Sequence, residues 1–554
     1  IGSGGIMKKN DNDQNRRYIH LVIGITGHRD IVNEDRELLK DKIREIFKEL
    51  RSRYANTPLL LITSLAEGAD RIGAEVALEM GIEYIVPLPL PYEEYIKDFP
   101  NTKDEFDKFL EKSLGYFELP IEKSELESSR DYGPSRDKRY EKVGAFIAKY
   151  SQILIALWDG KDIGLIGGTS QVVKFKLNGL PSEYAPYRTI LDTPDTGPVY
   201  HILTRRMKNR DEFKNYTPEI KKMLPEFTNE ETFFGNRGIF SKIDNFNKRI
   251  RDLEEEEIKK SRESLASGVV EKEKFISYIY SEADALAIKF KKKWNFLQLF
   301  LLFITGTLLG VFLGYTYLNS LYLLIGYFIA YVLLTYLFKV RNLSHSYHES
   351  YVEYRSLAEG LRVEFFLRLA GVHEDSADRY LRKHRQHLQW IREVMRSANI
   401  FDPQSTPDLE SIKKYWIDGQ YEYYRNSSMK NKIILRRLKV ISAIFFFGGI
   451  ASILGAIIFT VLHLYDAISS TIILIITLPT LAGLIETYIS RSTLQETGEE
   501  YSRMKSMYES AIKLWKENDD VYNIQIIMEL SKEALRENAD WLLLHHQIPE
   551  KIPL

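Results

Sequence analysis

Two long apolar stretches, 296–338 and 438–489, limit what this chain can become. Each holds two apolar runs separated by a short polar turn: 296–314 and 321–338 in the first, 438–462 and 471–489 in the second. At ~1.5 Å rise per residue, a helix of ~20 apolar residues spans a hydrocarbon core ~30 Å thick. No Lys, Arg or Asp falls between Phe296 and Phe338. Four transmembrane helices are predicted. The competing reading is a very apolar soluble helical core, but such cores rarely carry basic flanks at every inner end.

Those flanks are present. Lys289, Lys291, Lys292 and Lys293 precede the first run, and Lys339 and Arg341 follow the second. Lys432, Arg436, Arg437 and Lys439 lead into the third, and Arg491 follows the fourth. The turns at 315–320 and 463–470 carry no Lys or Arg. The positive-inside rule then places both hairpin tips outside and all long segments, with both termini, in the cytoplasm. Gly306, Gly310 and Gly314 recur every four residues, as do Gly448, Ser452 and Ala456, a spacing that lets helix backbones approach closely. Pro479 is expected to kink the fourth helix, and Glu486 to sit near its inner end.

A chain of 554 residues is expected to form two or three domains. Residues 1–15 are expected to be flexible, with the first six a tag remnant before Met7, and no signal peptide is expected. A formal net charge of -1 argues against a nucleic-acid polymer as partner. With Cys 0, disulfides, thiol nucleophiles and Cys-based zinc sites are excluded. The pairs His345/His348 and His384/His387 lie in charged helical stretches and suit a surface better than a metal.

The region 16–206 alternates strand and helix patterns. Strands are predicted at 18–26, 59–64, 84–87, 153–158 and 199–204, and helices at 34–54, 69–80, 138–150 and 169–177. Continuous apolar strands with helices between them imply a parallel sheet covered on both faces, with ligands beyond the carboxyl ends of the strands. Three strand ends carry unusual loops. In Gly24-Ile-Thr26-Gly27-His28-Arg29, Gly27 can let backbone approach a ligand, while His28 and Arg29 can donate to phosphate or ribose oxygens. Ser64-Leu65-Ala-Glu67-Gly68-Ala-Asp70-Arg71 enters a helix whose N-terminal N–H groups favour an anion. Gly164-Leu-Ile-Gly167-Gly168-Thr169-Ser170 also enters a helix. One such loop alone says little; three at successive strand ends point to a nucleotide or nucleotide-like phosphate, against the alternative of three structural turns. Trp158 and Asp159 end a strand beside them, where Trp158 can stack on a base or fill the core.

Together these segments, with Ala156-Leu-Trp158-Asp159-Gly160, resemble the SLOG superfamily over about 16–206. That Rossmann-like group includes the LOG nucleotide phosphoribohydrolases, the DNA-processing protein DprA and ligand-sensing domains of bacterial defence proteins. The resemblance implies a pocket at Gly27, Arg29, Ser64, Glu67, Gly168 and Thr169. LOG-type hydrolases place a glutamate in a GGxGTxxE pattern. Here the turn reads Gly167-Gly-Thr-Ser-Gln171, and an amide does not titrate. Glu67 remains as a carboxylate that can act on a substrate, bond a ribose or cap its own helix. Binding without turnover is expected, so no catalytic residue, metal or cofactor is assigned.

The loop 181–198, rich in Pro, Tyr and Thr, can close over a ligand or be an ordinary surface loop. A charged connector, 207–280, follows. Two units, 281–430 and 431–554, each show a basic lead-in, an apolar hairpin and a polar helix extending inward. The segments around Glu353-Tyr354 and Glu500-Tyr501 align at an offset of about 147 residues, as expected of a tandem duplication. With Tyr354-Arg-Ser-Leu-Ala-Glu-Gly-Leu-Arg362 and the closing helix Ser531-Lys-Glu-Ala-Leu-Arg-Glu-Asn-Ala-Asp-Trp541, this half resembles the SLATT family, two-transmembrane domains associated with SLOG in bacterial defence systems.

The fold class expected is an α/β Rossmann-like parallel sheet followed by an all-α membrane domain with cytoplasmic helical extensions. The two resemblances imply a multi-pass protein of the bacterial inner membrane and a homo-oligomer. Its ligand is expected to be a nucleotide second messenger made by a separate synthase, of the cyclic ADP-ribose type or a cyclic oligonucleotide. The lipid bilayer is the other partner, and a pore that ends phage infection is the implied outcome. The rival readings are a membrane-anchored LOG-like nucleotide hydrolase and a sensing scaffold that recruits a separate effector.

Overall fold

The computed structural model describes residues 6–7, 17–185, 187, 189, 192, 194–212, 216–269, 274–318, 320–372, 374–380, 385–401, 407–491, 494–517 and 519–546. The chain packs into two compact units. One joins Ile1–Ala283 to Leu357–Pro407; the other joins Asp284–Ser356 to Asp408–Leu554. These boundaries differ from the expected ones at 280/281 and 430/431, because the chain returns to the first unit after the first hairpin.

The first unit is built on an eight-stranded sheet: β1 (Ile6–Met7), β2 (Leu21–Gly27), β3 (Leu59–Ile62), β4 (Glu83–Leu88), β5 (Gly115–Glu118), β6 (Ile153–Trp158), β7 (Val199–Leu203) and β8 (Ile220–Met223). The order across the sheet is β1-β5-β4-β3-β2-β6-β7-β8. β2 to β7 pair in parallel, and the two outermost pairings, β1 with β5 and β7 with β8, are antiparallel. Ile6 and Met7, expected to be flexible, thus pair with Tyr116 and Gly115. The strands β2, β3 and β6 are apolar and buried almost throughout, as a sheet covered on both faces requires. A Cβ on Gly24 would lie 2.7 Å from Ile147 of the Pro134–Tyr150 helix, whereas Ile25 meets Gly73 of the Ala69–Glu79 helix. Neighbouring residues of a strand point to opposite sides, so these helices cover opposite faces.

The returning segment completes this unit. The Arg385–Phe401 helix buries Trp390, Ile391, Val394 and Met395. At the amino ends of the strands, buried Gln152 accepts from the Val22 N–H at 2.5 Å and donates to Ser397 Oγ at 2.9 Å. Asn247 brackets Ile19, accepting from its N–H at 3.0 Å and donating to its carbonyl at 2.9 Å. Buried ions secure the same segment. Arg392 grips Asp195 with two bonds of 2.6 and 2.9 Å, and Arg396 reaches Asp195 at 2.8 Å and Asp378 at 3.1 Å. Burial opposes ionisation of Asp195, but the two guanidinium groups outweigh it and hold the carboxyl well below its usual range.

The second unit is helical. The Gly419–Val461 and Tyr465–Arg491 helices form a hairpin in which Gly449 abuts the Pro479 ring, where a Cβ would come within 2.8 Å. The predicted small residues mark helix contacts in part: a Cβ on Gly448 would lie 3.3 Å from Leu478 and one on Gly314 3.5 Å from Leu323, whereas Gly306 and Gly310 have nothing within 4 Å. On the polar side Tyr424 stacks with Tyr508 and meets Tyr501 edge-on. Among the described residues, two helices are long and apolar enough to cross a membrane, Leu409–Val461 and Thr471–Ser490, and their apolar windows are only 6% buried. The first hairpin contributes shorter apolar stretches, Gly306–Tyr315 and Leu321–Leu333, because side chains such as those of Leu301 and Leu302 lie outside the described residues. The side chains of His345, His384 and His387 also lie outside them, as do five positions of the 181–198 loop.

Candidate functional site

The chain runs outward from β2 through β3 and β4 to β5, then crosses to the other side of β2 with β6 and β7. The strand order therefore reverses between β2 and β6, and open α/β sheets bind ligands beyond the carboxyl ends at such a point. His28 and Asp159 lie there. His28 Nε2 is 3.1 Å from Asp159 Oδ1 and 3.2 Å from the Asp159 N–H. Burial lowers the imidazole pKa, and nearby Arg206 adds to this against the pull of Asp159. Asp159 also accepts from the Lys161 N–H at 3.1 Å and from Asn209 at 2.9 Å. Burial works against its charge, yet the Lys161 N–H, His28 and Arg206 keep its pKa below the ordinary value. The pair thus joins the strand ends internally instead of presenting free donors.

The second loop docks on the first. Ala69 N–H donates to His28 O at 3.1 Å, and Gly68, with φ +79°, sits so close that a Cβ would lie 2.4 Å from that oxygen. Leu65 is also left-handed, at φ 56°. Gly27 is needed for packing: its Cβ would lie 2.3 Å from Ala69 Cβ. Ser64 Oγ donates to Asp70 at 2.8 Å, and the Ala66 N–H also points to this carboxylate. Asp70 therefore shapes the turn from beneath. Thr102 donates to Glu67 Oε1, which holds that carboxylate against the loop after β4.

Burial pushes Asp70 up to about 6, against the Ser64 and Ala66 hydrogen bonds. A carboxyl with a folded pKa above its unfolded value of 3.8 stabilises fully below that value, and the contribution is lost as pH rises through about 6. Asp70→Asn will remove that slope. The fall in unfolding free energy between pH 4 and pH 7 will shrink by roughly 2 kcal/mol in denaturant titrations. An unchanged slope would show that Asp70 is ionised in the native state.

The third loop packs on the Pro134–Tyr150 helix. Gly167, with φ +71°, would bring a Cβ 2.7 Å from Tyr140 Cβ. Gln171 holds the turn, accepting from the Gly167 N–H at 2.7 Å and donating to Glu141 at 2.8 Å. Gly168 precedes the first turn of the Thr169–Asn178 helix, in which Thr169 and Ser170 are buried. Trp158 donates from Nε1 to Lys161 O at 3.0 Å and packs beside His201, with ring centres 5.3 Å apart.

Arg29 differs from its neighbours. Its side chain is 42% exposed, with Nη2 3.9 Å from Asp98 Oδ2 and the guanidinium 5.2 Å from the Tyr140 ring centre. Asp98 is fully enclosed and also takes Arg136 Nη2 at 2.7 Å, Tyr132 OH at 3.1 Å and Tyr140 OH. Tyr95 closes the cluster, donating to Ser64 O at 3.2 Å. Sequence reasoning missed Asp98, Tyr95, Arg136 and Tyr140. The i,i+4 pair Arg136/Tyr140 was the available signal, but its partner lies 38 positions earlier. The arrangement leaves a cation held in place, with part of its surface open, beside the Ser64–Asp70 turn. That combination can hold an anion. Scanned against protein-family models, curated proteins and solved structures, the chain matches none.

Proposed function

We propose that this chain is a membrane effector gated by a nucleotide-derived second messenger of the cyclic ADP-ribose type or a cyclic oligonucleotide. The observation that carries this reading is an anchored, part-exposed Arg29 at the switch point of the sheet, in a chain that also has helices able to cross a bilayer. The Ser64–Asp70 turn and Arg29 receive the phosphates. The loop between Gly160 and Gly167, with exposed Ile163, Leu165 and Ile166, closes over the base and ribose. Its left-handed glycines, Gly160, Gly164 and Gly167, supply the hinges. Gln171 is tied to Gly167 and Glu141, so the turn that carries a glutamate in LOG-type enzymes offers no acid or base here. Binding without hydrolysis follows.

In this proposal both apolar hairpins cross the bacterial inner membrane, with the termini cytoplasmic, as the basic flanks support. Several copies assemble around a pore, which opens to stop phage infection. A full switch from 1:99 to 99:1 needs ~5.5 kcal/mol of differential affinity, within reach of several charge-assisted bonds. The test uses the full-length chain. A panel of cyclic nucleotides and cyclic ADP-ribose derivatives should contain one that raises its Tm and releases dye from liposomes holding it. Arg29→Ala should weaken that ligand by about 10- to 100-fold, the loss of one charged hydrogen-bonding group. Binding without leakage would defeat gating, and unchanged affinity in Arg29→Ala would remove the arginine from the site.

A further inference from the structure

We propose that the Gly419–Val461 helix carries a binding site for the phosphate headgroup of an anionic membrane lipid at Lys432, Arg436 and Lys439. The proposal rests on the membrane placement of this helix. Spacings of four and three residues bring these cations onto one stripe. Together with Leu435, Val440 and Ala443 they form one open face of the helix. The face changes character along its length: three cations alternate with Leu435 at one end, and Val440 and Ala443 form the other. From Val440 to Val461 the helix carries no charged residue.

The cations lack counter-charges. Among the described residues no carboxylate lies within 4.0 Å of Lys432, Arg436 or Lys439, and Lys432 has only Ser502 Oγ at 3.5 Å. Three other basic side chains of the same unit are matched: Lys513 with Glu509 at 2.9 Å, Lys532 with Glu529 at 2.5 Å, Arg503 with Glu500 at 2.5 Å. Three unmatched cations at the mouth of an apolar surface require an anion that also tolerates that surface. A glycerophospholipid supplies both, with phosphate at the cations and acyl chain along Val440 and Ala443. A soluble phosphate satisfies only the first.

The test compares full-length wild type with K432Q/R436Q/K439Q, all exposed positions. Both are reconstituted in phosphatidylcholine vesicles, then extracted with phosphatidylglycerol present and weighed by native mass spectrometry. Wild type should retain phosphatidylglycerol over phosphatidylcholine. The triple variant should lose that preference by about tenfold or more, while a control, K505Q/K513Q/K532Q, keeps it. Inorganic phosphate at millimolar concentration should not displace the lipid. Equal preference in the triple variant overturns the site, and displacement by inorganic phosphate overturns the lipid in favour of a free anion. Failure of wild type to float with the vesicles overturns the membrane placement and the lipid site together, an outcome separable from the other two.

Discussion

Asp98→Ala will destabilise the first unit by about 3–5 kcal/mol, the range for removing one partner of a buried ion pair. Arg136 is 2% exposed and has Asp98 as its close carboxylate, at 2.7 Å. Its other bonds go to the Ser129, Arg130 and Glu94 carbonyls and to Tyr140 OH, none of which carries charge. The substitution also strips Tyr132 and Tyr140 of their acceptor and frees Arg29 from its anchor. Asp98→Asn, of the same size and still an acceptor, should cost less. Hydrogen exchange on peptides from β2, in the detergent-solubilised full chain, reads the change directly. Loss of protection no larger in the alanine than in the asparagine variant would mean that the acceptor kept by asparagine adds nothing once the charge is gone. If Arg29 binds ligand, both substitutions also weaken binding, because an untethered arginine must be ordered afresh at each encounter.

Arg396→Met should have a similar effect at the opposite edge of the sheet, again about 3–5 kcal/mol. This side chain is buried between Asp195 and Asp378, with Glu393 at 3.8 Å. Methionine fills much of the space but removes the guanidinium that lies between three acidic groups, leaving Arg392 on Asp195 and Lys149 on Asp378. Adding Asp378→Asn to Arg396→Met should recover part of the loss, since one unmatched charge then disappears. A double-mutant cycle in urea measures this coupling. Strict additivity would show that the two residues do not act as a pair.

Much of the sheet is legible in the sequence because its inner strands are short, unbroken apolar runs. The 153–158 run becomes β6 without a change of boundary, and the predicted 69–80 helix differs by one residue. The edges are not legible. β5 alternates over four residues, and β8 reads Ile-Lys-Lys-Met with both lysines exposed, so neither stands out from its surroundings. The Arg385–Phe401 helix misleads for a different reason. Its arginines and glutamate look like a solvated face, yet Arg392, Glu393 and Arg396 are buried, the charges of the two arginines met by Asp195 and Asp378, 197 and 18 positions away. At the candidate site the loops were visible, whereas the roles within them were not. Gly27, Gly68 and Gly167 stand where backbone or Cβ atoms of neighbouring segments press in, a requirement that only the packed chain reveals.

The return of Leu357–Pro407 to the first unit has a consequence for biogenesis. Trp390, Ile391 and Val394 leave the ribosome more than a hundred residues after the last strand of the sheet they help to bury. The apolar hairpin between them emerges first, while the nascent sheet still lacks this helix. A polypeptide ending near residue 280 would present that unfilled core to solvent and aggregate, so the sheet cannot mature ahead of the hairpin that precedes its last helix.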